Sequence, residues 1–443
     1  MDAATAAETG PSYRRLLRNP AFARVFAAGL GSVAGSSITG VCLVWLVFAD
    51  TGSALDVALL GTAWLAAGIT FSVFGGTWVD RYDRRRLMVA SDFARAAAMA
   101  TVVVVLELKG FDLPAILAAY FVVGAFTTVF NPAEQALLPA LVAAGDVANA
   151  NGLVRSSRSA LQFAGASVAG GLLVTLGPVS GLAVNAATFL VSGLLLLGMV
   201  IPGPRPGFPR AARRPGSYFR EVAEGFRWLY RATGFFQLTL SATFFNFCSA
   251  VVGTFMVVFA TRVLHGSALV FAALLAAEVA GSAIGALLVG RTNAVRWAGR
   301  AWVVPYGVLS ALLVIGLVLV PNVPYAIAAL FALGAFGGFA GTAWLTAAQL
   351  LVPTEMQGRY FGIDNLGSIA ILPFAQIGGA LLIAAYGIGP TYLAAGIAWL
   401  IAGGFFLFPR ALGALGYRPP ASTPRSDGAV PGTSGSPGGT RDG

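Results

Sequence analysis

Apolar residues run along the chain in long unbroken blocks separated by short polar gaps. A helix needs about 20 mainly apolar residues to cross the hydrocarbon core of a bilayer. On that measure six blocks predict spans at roughly 21–48, 55–78, 87–107, 113–133, 153–175 and 179–201. Six more predict spans at roughly 236–261, 268–290, 301–320, 324–349, 361–386 and 390–409. The blocks are continuous and do not alternate over ten-residue segments, so helices rather than barrel strands are expected. The organisation read from this pattern is a terminal segment (1–20), a six-helix bundle (21–201), a polar linker (202–234), a second six-helix bundle (235–409) and a tail (410–443).

Composition agrees with the pattern. Only 10% of residues are charged and 57% are hydrophobic, against about 25% charged in a soluble domain. A soluble enzyme, a disulfide scaffold, a collagen-like fibre and a disordered chain are excluded. The net charge of +10 does not point to nucleic acid, because the basic residues gather in the gaps. If the N-terminus is cytoplasmic, 26 of the 28 basic residues lie inside, and only Lys109 and Arg262 lie outside. That asymmetry predicts that both termini are cytoplasmic. Arg14, Arg15 and Arg18 precede a block too long for a cleavable leader, so the first span is expected to stay as an anchor. Cys42 and Cys248 lie inside apolar blocks and read as core fillers.

In the linker, Phe219, Val222, Phe226 and Leu229 recur at helical spacing opposite Arg220, Glu224, Arg227 and Arg231. Either an amphipathic helix on the inner membrane surface or a solvated connection fits this pattern. The tail is rich in Pro, Gly, Ser and Thr, and is expected to be disordered. The halves also repeat. Gly52-Ser-Ala-Leu55 returns as Gly266-Ser-Ala-Leu269, Gln135 to Pro139 returns as Gln349 to Pro353, and Asn151 returns as Asn365, all at an offset of 214. One offset at equivalent places in a 6+6 pattern predicts two parallel repeats related by an axis along the membrane normal, a transporter design.

The loop between the second and third spans reads Gly75-Gly76-Thr-Trp-Val-Asp80-Arg81-Tyr-Asp83-Arg84-Arg85-Arg86. It resembles the cytoplasmic signature of the major facilitator superfamily, with Asp83 in place of the usual second Gly. Phe130-Asn-Pro-Ala-Glu134-Gln135 through Pro139, followed by Asn149-Ala-Asn151, resembles a subgroup that holds the enterobactin exporters and macrolide-efflux proteins. The resemblance covers the twelve spans but not the tail. It implies an all-α polytopic fold of 12 transmembrane helices in two six-helix parallel repeats, working by alternating access and mostly as a monomer. It also implies a conformational latch of Gly76, Asp80, Arg81, Arg84 and Arg85, with Asp80 docking near Asp364 in the outward-facing state. The plainer alternative is an Arg run that only anchors topology. In the second half Gly290 stands where Asp80 stands in the first, so that latch is degenerate.

Glu278 is expected to be the one carboxylate at membrane mid-depth, about ten residues into its span. A charged group there costs roughly 2.5–3.5 kcal/mol on insertion scales, so it calls for an explanation. Reversible protonation coupled to transport, pairing with a cationic substrate, and a purely structural hydrogen bond are the three readings. The first span lacks the acid and the fourth span the Arg that many family antiporters carry. Gln162, Asn185, Asn246 and Gln376, with Trp64 and Trp344, are the candidates for an apolar-aromatic cavity suited to amphiphilic molecules.

No enzyme is expected. His265 is the only histidine, the cysteines are apart, and there is no Walker loop or dinucleotide fingerprint. Neither a metal nor a cofactor is expected. The function expected is proton-driven efflux of a drug, siderophore or other amphiphilic metabolite across a bacterial inner membrane. The partners are then a small amphiphilic substrate, protons and the lipid bilayer, without nucleic acid. A lipid or lysolipid flippase of the same fold is the second reading, nutrient uptake a third, and a non-transporting membrane scaffold or sensor the alternative from a different class.

Overall fold

The computed structural model describes residues 13–143, 146–199, 233–289, 300–352 and 367–404. Arg227, Tyr230, Tyr360, Ile363 and Asp364 are described individually between them. The side chains of residues 72–77, 79–81, 148, 233–238, 241, 300–305, 347 and 349–351 lie outside that description. So do most of the linker and all of the tail, including the expected amphipathic helix.

In the first half a short helix α1 (Tyr13–Arg18) leads into α2 (Pro20–Thr51), α3 (Ala54–Arg81) and α4 (Arg84–Lys109). Then come α5 (Leu113–Leu137), α6 (Val147–Thr175) and α7 (Pro178–Leu197). The second half holds α8 (Thr233–Thr254), α9 (Met256–Arg262), α10 (Ala268–Val289) and α11 (Arg300–Leu319). It ends with α12 (Val323–Leu351), α13 (Leu372–Tyr386) and α14 (Ile388–Gly404). These helices match the apolar blocks within a few residues, with two refinements. The seventh block is split at Phe255, where α8 and α9 meet at a 42° bend. The eleventh is interrupted at Ile371, just before Pro373 opens α13. Among the described residues, eight helices are long and apolar enough to cross a membrane, or nine if α8 and α9 form one span.

Local chemistry sets the helix ends. Asn19 caps α2 by accepting from the Ala21 and Phe22 amides, Pro20 starts the helix, and Gly52 closes it at φ 61°. Ser53, Asp112 and Asn322 cap α3, α5 and α12 in the same way. Asp83 caps α4 by accepting from the Arg86 amide at 3.0 Å. Its carboxylate also sets a negative charge beside a helix N-terminus that opens with three arginines, where the helix dipole alone would repel them.

The bundles repeat in how they pack. Within the first half α3 lies on α5 and α4 on α7; within the second α10 lies on α12 and α11 on α14. Across the halves α6 meets α10 and α3 meets α13. The repeat offset carries α3 onto α10 and α6 onto α13, so these two interfaces exchange under one pseudo-twofold axis. The described contacts joining the halves gather at one end of the bundle, the end carrying Gly52 and Arg262. There Arg262 Nη2 donates to the Gly52 carbonyl at 2.6 Å, and its guanidinium lies over the Phe48 ring. Trp45 faces Phe271, and a Cβ on Gly170 would meet that of Ala272.

Candidate functional site

A cavity of about 390 Å³ lies where the halves meet. The first half contributes α2 (Ser36, Ser37, Gly40, Val44), α3 (Leu60, Gly61), α5 (Tyr120) and α6 (Gln162, Ala166). The second contributes Thr254 at the end of α8, Phe271, Leu275 and Val279 of α10, and Gln376 of α13. The lining is mostly apolar, and its polar atoms are few: two amides, a phenol and small hydroxyls. Thr62 Oγ1 donates to Gln376 Oε1 at 3.3 Å, so one of the two amides is held by the opposite half. Such a chamber offers area to an apolar body and a handful of oriented hydrogen bonds to its polar edge.

The expected cavity residues do not all gather there. Gln162 and Gln376 line it. Trp64 packs on Tyr120 with ring centroids 5.0 Å apart and supports the wall from behind. Asn185 is buried in the seam between α2 and α7, against Gly35, and accepts from Thr188. Asn246 is half-buried on α8 and is not among the lining residues. Trp344 packs at a tilt against Tyr360, and its indole N–H faces the Asp364 carboxylate.

Glu278 faces elsewhere. It lines a second, smaller pocket of about 120 Å³ inside the second half, together with Ser249, Ser282, Tyr306, Gly334 and Trp399. α10 separates the two spaces. Phe271, Leu275 and Val279 recur every four residues on its cavity face, and Glu278 and Ser282 occupy the face toward the second pocket. Among the described residues no basic side chain pairs with Glu278.

Of the signature residues, Gly76, Asp80 and Arg81 have side chains outside the description. Arg84 Nη1 donates to the Ala136 carbonyl at 2.7 Å, and Arg85 Nε to the Leu196 carbonyl at 2.8 Å, with a further bond to Leu197. Both guanidiniums therefore serve the C-terminal ends of α5 and α7, where orphan carbonyls and the helix dipole favour a cation.

Sequence reading missed one charged cluster altogether. Arg95 reads from the sequence as an inner-end anchor, yet it is 1% exposed, and its partner Asp92 is fully buried. The pair is hydrogen-bonded one turn apart on α4, and Ser192 Oγ donates to Asp92 at 2.6 Å. The guanidinium is sandwiched between the Phe130 and Phe189 rings, each 4.4 Å away, and reaches Ser32 and Thr127. Arg158 of α6 pairs with buried Glu134 of α5 close by. The i, i+3 spacing of Asp92 and Arg95 was the available signal; that the pair is enclosed by aromatics was not readable. No cluster of metal-ligating side chains occurs among the described residues.

Two like-oriented helical bundles around a central apolar cavity define a multi-pass membrane transporter fold. The sequence profile of the Major Facilitator Superfamily matches residues 25–375, and the chain belongs to that superfamily. Over 238 residues it is 28% identical to the multidrug efflux pump Tap of Mycobacterium tuberculosis, covering 51% of this chain and 56% of that protein. The chain thus aligns with little more than half the length of that relative. It is 22% identical over 392 residues to the uncharacterized MFS-type transporter YvqJ of Bacillus subtilis, covering 88% and 92% of the two chains. With macrolide efflux protein A of Streptococcus pyogenes it shares 23% over 273 residues, 61% and 66% of the two. In fold it is similar to a bacterial homolog of the human lysosomal transporter Spinster in an inward-facing, unoccupied conformation. That match has a TM-score of 0.70 at 17% identity and covers 93% of this chain and all of the other.

Proposed function

We propose that this chain is a secondary transporter of the bacterial cell membrane that exports a small amphiphilic molecule, such as a drug or secondary metabolite, by alternating access and in exchange for protons. The observation that carries the reading is the mainly apolar cavity between the halves, with Gln162 and Gln376 as its oriented amides. The efflux proteins among its relatives support the direction of transport, and the basic-residue asymmetry supports cytoplasmic termini. With the halves joined at the Arg262 end, the cavity is reached from the side that carries the arginines, the cytoplasmic side. A monomer suffices, because each half supplies part of the one cavity. Asp80 is proposed to dock against the helix segment that carries Asp364 when that side closes, with Arg84 and Arg85 holding the ends of α5 and α7 as a firm base for the loop.

Accumulation of amphiphilic antibiotics and siderophores in a pump-deficient bacterium tests this reading. Wild type lowers accumulation of at least one compound, and a protonophore reverses the effect. Glu278→Gln reverses it too if that residue couples the proton. Well-expressed protein that moves no compound overturns export, and lipid scrambling in proteoliposomes then becomes the measurement to make.

A further inference from the structure

The geometry points to the Glu278 pocket as a hydrated proton-binding site within the second half, on the face of α10 opposite the substrate cavity. This deepens the proton-driven reading and rests on it for its role in transport. The pocket of about 120 Å³ has room for about four waters at about 30 Å³ each. A dry cavity would be apolar; this one is lined by a carboxyl, two serine hydroxyls and a phenol. Trp399 supplies the independent observation. It lines the pocket, it is 3% exposed, and its indole N–H is buried with no acceptor among the described residues. A donor stranded in that setting is satisfied by ordered water. The same water carries the hydrogen bond on to Glu278, so Trp399 stabilises the ionised carboxylate without touching it.

The surroundings fit a proton rather than a charged substrate. The titratable side chains that feel Glu278 are Tyr306 of α11 and Tyr392 of α14, with Cys248 of α8 acting on Tyr306. Tyr392 donates to the Val252 carbonyl at 2.7 Å and is fully engaged. A pocket of this size does not admit a drug-sized molecule. Substrate and proton then occupy different compartments on the two faces of α10. Competition for a shared carboxylate plays no part.

Infrared titration of the purified full-length protein in proteoliposomes tests the site without needing a known substrate. The carboxylic C=O band is followed against pH in H₂O and D₂O for wild type, Glu278→Gln, Glu278→Asp, Trp399→Phe and Leu275→Trp. The wild-type band titrates, shifts in D₂O within the mixing time, disappears in Glu278→Gln and returns in Glu278→Asp. Trp399→Phe, which removes the donor and keeps an aromatic ring, moves the midpoint upward by about half a pH unit, as loss of one hydrogen bond to the ionised form requires. Leu275→Trp, which fills the substrate cavity, leaves the midpoint in place. The inference is overturned if wild type and Glu278→Gln give the same titration, if the band fails to exchange, if Leu275→Trp moves it as far as Trp399→Phe, or if sodium at constant pH displaces the proton. A normal titration in a protein that exports nothing leaves this site standing and removes the transport reading instead.

Discussion

The main-chain carbonyl of Glu278 packs against Gly334 so closely that a methyl carbon added at Gly334 would lie 2.0 Å from the oxygen, far inside van der Waals contact. The contact repeats along the seam of α10 and α12, where Gly338 meets the Ser282 carbonyl and Gly281 and Gly285 meet the backbone of Phe331 and Ala335. Small residues every four positions let two helices meet backbone to backbone inside a membrane. The first half, at the same offset, puts Trp64 and Tyr120 where the second puts Glu278 and Gly334. One repeat fills the position with two aromatics packed at a tilt, and the other closes the helices and frees a carboxyl to face a pocket.

Gly334→Ala is therefore expected to destabilise the protein by about 1–3 kcal/mol, the range for overpacking a tight contact. The opposing atom is backbone and cannot swing aside. Gly341→Ala, on the same helix with open space around it, is the control and is expected to be neutral. Thermal unfolding in detergent, followed by cysteine reactivity of Cys42 and Cys248, reads both; equal midpoints for the two variants would refute the seam.

Arg95 gives a second expectation. Removing one partner of a fully buried ion pair costs about 3–5 kcal/mol, because the other charge is left uncompensated. Arg95→Met and Asp92→Asn should each lower the unfolding midpoint strongly. Arg95→Lys should rescue little, since a lysine ammonium cannot lie flat between Phe130 and Phe189 while reaching Asp92. If Arg95→Lys unfolds like wild type, charge alone and not the planar stack holds the cluster.

Much of the fold was legible because block length is a direct measure of membrane thickness: the end of α2 at Thr51 and the start of α10 at Ala268 fall close to where the hydrophobic pattern places them. The position of Glu278 midway along α10 was legible for the same reason. The space it faces was not. Its direction depends on how α10 rotates, and that is fixed by the glycine seam with α12, a contact between residues 50 to 56 positions apart. Asn185 illustrates the same limit. A lone amide in an apolar span reads as a cavity residue, but α7 turns it into the seam with α2, where Gly35 leaves it room. The bend at Phe255 follows Gly253 by two residues, but one glycine in a glycine-rich apolar block is too weak a signal to place a bend there.

Asp83, the departure from the superfamily signature, makes its own prediction. As the cap of α4 its carboxylate accepts from the Arg86 amide. Asp83→Ala is expected to cost about 1 kcal/mol, whereas Asp83→Gly, the residue usual in the family, should cost only a few tenths. Unfolding midpoints of the two variants should thus differ in that order. The reverse order would mean that Asp83 acts through charge on the loop and not through the cap.

The last expectation concerns the joint between the halves. At α6 and α10 a Cβ built on Gly170 would lie 2.6 Å from that of Ala272, closer than the roughly 3.5–4.5 Å spanned by the Cβ atoms of a disulfide. A relaxation of about an ångström brings paired cysteines into bonding range. The double variant Gly170→Cys/Ala272→Cys is therefore expected to cross-link readily under mild oxidant, in a background where Cys42 and Cys248 are replaced by Ala and Ser. The bond ties the halves together at the Arg262 end. If transport alternates between closure at this end and closure at the other, the oxidised protein cannot complete a cycle, and reduction restores it. Either single cysteine should transport with or without oxidant. Full transport by the cross-linked double variant would mean that this joint never opens, and alternating access about it would have to be abandoned.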